Sequence, residues 1–76
     1  MRLVSGVTYR ATIRLGWIER MASNGSIADS FRDAGFVDVS VSGYGKERVA
    51  TGTWGGLTTE NVDLPDQVVR VEEVSP

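Results

Sequence analysis

The chain has 76 residues, eight cationic side chains against ten acidic ones for a formal net charge of −2, and neither cysteine nor histidine. Disulfides are therefore excluded, and zinc, iron–sulfur and haem sites lose their usual ligands, so no cofactor is expected. One domain over 1–76 is expected; a chain this short buries only about 60% of its unfolded surface, which leaves self-association or docking into a larger assembly as the route to extra stability.

No apolar run approaches the roughly 20 residues that span a bilayer. Met1-Arg2-Leu3-Val4-Ser5-Gly6 lacks the apolar stretch of a signal peptide. A soluble protein, cytoplasmic or virion-associated, is the expectation, with no membrane partner. The charge is unevenly spread. Residues 1–20 carry Arg2, Arg10, Arg14 and Arg20 against Glu19, whereas residues 57–76 carry Glu60, Asp63, Asp66, Glu72 and Glu73 against Arg70. The basic and acidic ends are suited to pair, within one molecule or between neighbours.

In chain order, Val7, Tyr9, Ala11, Ile13 and Leu15 alternate with Thr8, Arg10, Thr12 and Arg14, which predicts a strand with one apolar and one polar face. Leu3 and Val4 extend it if Ser5-Gly6 forms a bulge. Trp17, Ile18 and Met21 are spaced for a short helical turn that covers one end of the core, stopped by the Asn24-Gly25 breaker. A single helix over 17–35 would have to absorb that breaker and ranks second.

Ser26 with Asp29 predicts the start of a helix over 26–34, with Ile27, Phe31 and Ala34 on its apolar side. Gly35 predicts a left-handed stop, with Phe36 folding back onto Phe31. From there the period becomes two, and Val37, Val39 and Val41 are expected on one face of a strand over 36–42. Gly43-Tyr44-Gly45-Lys46 reads as a hairpin loop.

The next strand, Glu47 to Trp54, is ambiguous. Val49 argues for one inward face, Ala50 and Trp54 for the other, and Gly52 is a candidate bulge that switches them. Residues 55–67 read as a connection. Gln67 to Val74 predicts a last strand, with Val69 and Val71 facing one way and Val68, Arg70, Glu72 and Val74 the other.

The order is β-α-β-β-β, an α+β class in which a single helix packs on one face of a four-stranded sheet. It resembles a truncated ferredoxin-like topology whose second helix has shrunk to the 55–67 connection. The right-handed crossover rule puts the first two strands parallel with room for the third between them. The fourth strand either joins the first, where Arg10 and Arg14 meet Glu72, or continues a meander beside the third.

Catalysis is not expected, because the commonest general base and the best thiol nucleophile are both missing. Asp29 and Asp33 lie one helical turn apart, but Arg32 beside them marks a solvated helix face. Glu72 and Glu73 are strand neighbours that point apart. Gly43–Lys46 lacks the spacing of a phosphate loop and precedes a strand.

Partner binding remains. The leading expectation is a non-enzymatic structural or adaptor protein that oligomerises or docks into a phage or viral particle or a bacterial complex. Arg10, Arg14 and Arg70 are the candidate ion-pair donors, with Trp17, Tyr44 and Trp54 as anchors. The alternative is a single-stranded nucleic-acid-binding module using Arg10, Arg14, Arg48 and Trp54 on the open sheet face. A third is a small protein inhibitor acting through its acidic last strand.

Overall fold

The computed structural model describes residues 2–17, 21–60, 62 and 64–74. β1 (Thr8–Arg14) is followed by α1 (Asn24–Ala34), β2 (Phe36–Tyr44), β3 (Glu47–Trp54) and β4 (Val68–Glu73). The sheet order is β2-β3-β1-β4, and each neighbouring pair is antiparallel. β1 and β2 therefore run parallel with β3 between them, roughly a ferredoxin-like arrangement. β4 joins β1, not β3, and Arg10 stands opposite Glu72 as the charges require.

Helix α1 lies over one face of the sheet, chiefly above β2. Ile27 and Phe31 face the core, where they meet Tyr9, Ala11, Ile13, Phe36, Ala50 and Trp54, and Ala28 is buried too. Gly35 ends the helix at φ 120°, and its N–H reaches the carbonyls of Arg32 and Phe31. Phe36 then turns its ring edge-on to Phe31 at 5.8 Å and to Trp54 at 5.1 Å, arrangements that aromatic quadrupoles favour. The helix stop and its aromatic contact are as the sequence predicts.

The helix start is not. Ser23, not Ser26, is the N-cap, and its Oγ accepts the Ser26 N–H at 3.0 Å. Asn24-Gly25 is absorbed into the first turn, where backbone N–H groups have no helical partner to lose. Asn24 also gains tertiary contacts: its Nδ2 donates to the Gly43 carbonyl and its Oδ1 accepts from Arg48. Asp29 falls outside the first turn and pairs instead with Arg32 at 2.8 Å.

Two strand facings, in β2 and β4, also differ from the plain alternation, whereas β3 keeps it. In β2 the register shifts between Val37 and Ser40, and Asp38 adopts φ 53°. This bulge turns Val37 outward, while Val39 and Val41 pack against the core. In β3 the inward set is Arg48, Ala50, Gly52 and Trp54. Gly52 itself is in register with Tyr9; the bulge sits on the strand opposite, and a Cβ at Gly52 would press on Phe36 and Val39 at 3.3 Å. In β4 a shift opposite Thr12/Ile13 makes Val69 the extra residue. Val68 and Val71 therefore share the inner face and Val69 is exposed.

Leu3 does not extend β1. It forms an isolated bridge with Thr59 and is fully buried, after which a turn closed by the Val7 N–H on the Val4 carbonyl, with Gly6 at φ 81°, leads into the strand. The expected helical turn after β1 falls largely on residues 18–20, outside the described residues. Trp17 and Met21 on either side are 68% and 80% exposed, so they do not cap the core; Leu15 and Ala22 do that.

Candidate interaction surfaces

The helix-free face of the sheet is built by the outward residues of four strands. β1 contributes Thr8, Arg10, Thr12 and Arg14, and β4 contributes Arg70 and Glu72. The arginines do not stand as bare cations. Arg10 lies 3.9 Å from Glu72, Arg14 3.4 Å from Glu47, and Arg70 3.5 Å from Glu72. These pairs are solvent-exposed and each contributes little to stability, about 0–1 kcal/mol. Their consequence is chemical: the face presents balanced charge and hydroxyls, with Thr8 and Thr53 hydrogen-bonded at 2.9 Å.

Two residues assigned to this face by the sequence are elsewhere. Trp54 is 6% exposed and inward. Its Nε1–H donates to the Leu57 carbonyl at 2.8 Å, and Cβ atoms at Gly35 and Gly56 would come within 2.8 and 2.7 Å of its ring. The indole fills a slot that two glycines leave open, so it anchors the core and offers nothing to a partner. Arg48, 5% exposed, also points inward. Its Nη1 donates to the Ala22 carbonyl and to Asn24 Oδ1, both at 2.8 Å, and its Nε donates to the Gly45 carbonyl at 3.1 Å. One guanidinium thus ties the helix entry to the β2–β3 hairpin, a use of its forked donors that suits arginine above lysine.

Of the three aromatics named as anchors, Tyr44 and Trp17 are exposed, at the hairpin end of the sheet. Tyr44 is 90% exposed, and Lys46 Nζ lies 5.6 Å from the centre of the exposed Trp17 ring, within cation–π range. The carbonyls of Gly43, Gly45 and Lys46 accept from Asn24, Arg48 and the Leu15 N–H. That hairpin is held by inward hydrogen bonds and has no anion-binding geometry.

The inner face is covered unevenly. Above β1 and β4, where a second helix would lie in a complete ferredoxin-like fold, runs the 55–67 connection, in which no described residue is helical. Val62 and Leu64 pack partly against the core. Beside them lies a groove of about 220 Å³ floored by Ile13, Leu15, Ile27 and Phe31 and walled by Pro65 and Val68. Periodicity could not show this feature, because its lining comes from three segments distant in sequence. Only the missing second helix hinted at it.

β4 forms one edge of the sheet and β2 the other. Among the described residues no helix is long and apolar enough to cross a membrane. No protein-family model matches this chain, and comparison with curated proteins and with solved structures finds no significant match either.

Proposed function

We propose that this chain is a non-enzymatic structural or adaptor protein that works by associating with copies of itself within a larger assembly, such as a phage or viral particle or a bacterial complex. The observation that carries this reading is the half-covered inner face: one helix over the β2 side, and an apolar groove of about 220 Å³ over β1 and β4. The groove adjoins an edge strand, so burying it and extending the sheet are compatible. A small domain gains stability from both. Arg10, Arg14 and Arg70 at the sheet face, and Trp17 and Tyr44 at the hairpin end, are accessible for further contacts.

The nucleic-acid alternative loses Arg48 and Trp54 to the interior, and its remaining arginines face Glu47 and Glu72. Two measurements separate the readings. Sedimentation velocity at low and at high salt should show concentration-dependent association that persists at high salt, since apolar burial is not screened. A fluorescent single-stranded oligonucleotide should not bind. A strict monomer at both salt concentrations contradicts self-association, and salt-sensitive oligonucleotide binding would restore the alternative.

A further inference from the structure

Each edge of the sheet carries one bulge, β2 at Asp38 and β4 at Val69, and bulges discourage a second chain from pairing with an edge. What distinguishes β4 is the pair of opposite charges, Arg70 and Glu72, that lies past its bulge. β4 is regular from Arg70 to Glu73. The Val74 N–H bonds the Thr8 carbonyl, and in an antiparallel ladder such hydrogen-bonded positions recur every second residue. Glu72 and Arg70, opposite Arg10 and Thr12, therefore direct their backbone groups toward β1, whereas Val71 and Glu73 direct theirs to the outer edge.

We infer that two copies of the chain pair through β4, antiparallel and about a two-fold axis at Val71, to form one continuous eight-stranded sheet. The inference rests on the self-association proposed above and names its surface. Charge selects the register. With Val71 opposite Val71 of the second copy, Arg70 of each strand falls opposite Glu72 of the other, twice, on the helix-free face. Glu72 already has Arg10 on its β1 side, so in the pair it lies between two cations across adjacent strands. Opposite charges directly across a strand pair stabilise it, and like charges destabilise it.

Shifting the register by two residues in either direction puts Glu72 opposite its own copy or Arg70 opposite its own copy. Only the register centred on Val71 pairs opposite charges. On the inner face the same register continues the apolar row: Ala11 stands beside Val71, which meets the second Val71. The interface is isologous, as closed two-fold dimers require. The ladder is short, since only Arg70 to Glu72 of each strand pair without meeting the Val69 bulge, so the dimer is weak, with a Kd on the order of 10–1000 μM.

The test is a charge exchange, read by sedimentation velocity on the full chain up to about 2 mM. Arg70→Glu alone sets its new carboxylate against Glu72 of the other copy, twice. Glu72→Arg alone sets its new guanidinium against Arg70 of the other copy, also twice. Each single variant should dissociate at least tenfold more readily than the unmodified chain. An equimolar mixture of the two restores opposite charges at both positions and should dimerise again. Glu73→Pro gives a second line of evidence: it removes an N–H aimed away from β1, a site where an edge strand tolerates proline, and should abolish the dimer without unfolding the domain.

If the unmodified chain dimerises while the variants do so equally well, the β4 pairing is wrong and self-association by another surface stands. A chain that stays monomeric throughout the concentration range overturns both. Should Glu72→Arg fail to fold for want of its Arg10 partner, Glu73→Pro and Arg70→Glu decide alone: dissociation of both supports the pairing, and an unaltered dimer overturns it.

Discussion

Arg48 shows how much of this fold rests on one polar side chain. It stands in the inward row of β3 with Ala50, Gly52 and Trp54, and is almost wholly buried. A buried cation is costly unless hydrogen bonds replace its water. Here two backbone carbonyls and the Asn24 amide oxygen do so. Arg48→Met keeps most of the stem but leaves those acceptors unpaired, and each buried orphan costs about 1–3 kcal/mol. The variant should lose about 2–4 kcal/mol in urea unfolding, and Arg48→Lys should recover less than half of it, because an ammonium cannot serve three separated acceptors as the fork does. Sequence pattern cannot find such a residue. An arginine between Glu47 and Val49 in an alternating strand reads as surface, and the distant partners Ala22 and Asn24 make it interior.

Among the elements, those whose signals are local were legible. The Gly35 stop, the Phe31–Phe36 contact and the β1 alternation follow from neighbouring residues, and the structure has all three. The sequence left β4 beside either β1 or β3; the complementarity of Arg10 and Glu72 was the one long-range cue to the β1 pairing that the structure has. Elements whose signals are tertiary were misread. The helix begins at Asn24 because Arg48 and Gly43 engage the Asn24 side chain, and Val37 faces outward because Asp38 bulges opposite Gly52. The corrected helix start is measurable. Ser23→Ala removes the cap acceptor and should cost about 1 kcal/mol, as N-cap deletions do. Ser26→Ala leaves the bonded N–H in place and should change stability by a few tenths of that at most. Equal losses for both, in matched thermal melts, would return the cap to Ser26.

At the scale of the whole molecule, one helix over four strands leaves half of the inner face under a loop and two open sheet edges. β2 is bulged at Asp38 and β4 at Val69, and β4 is regular from Arg70 to Glu73 beside an apolar groove. Trp54 and Arg48, which made the open face resemble a nucleic-acid platform in the sequence, are taken up by the core. What the surface retains is an edge strand whose own charges are complementary to themselves under a two-fold axis. The most direct measurement is amide hydrogen exchange followed residue by residue by NMR at about 50 μM and about 2 mM protein, toward the two ends of the weak dimerisation range. The Val71 and Glu73 amides should exchange fast in the dilute sample and slow several-fold in the concentrated one, while amides along the β2 edge stay unchanged. Equal exchange at Val71 and Glu73 at both concentrations would contradict pairing through β4.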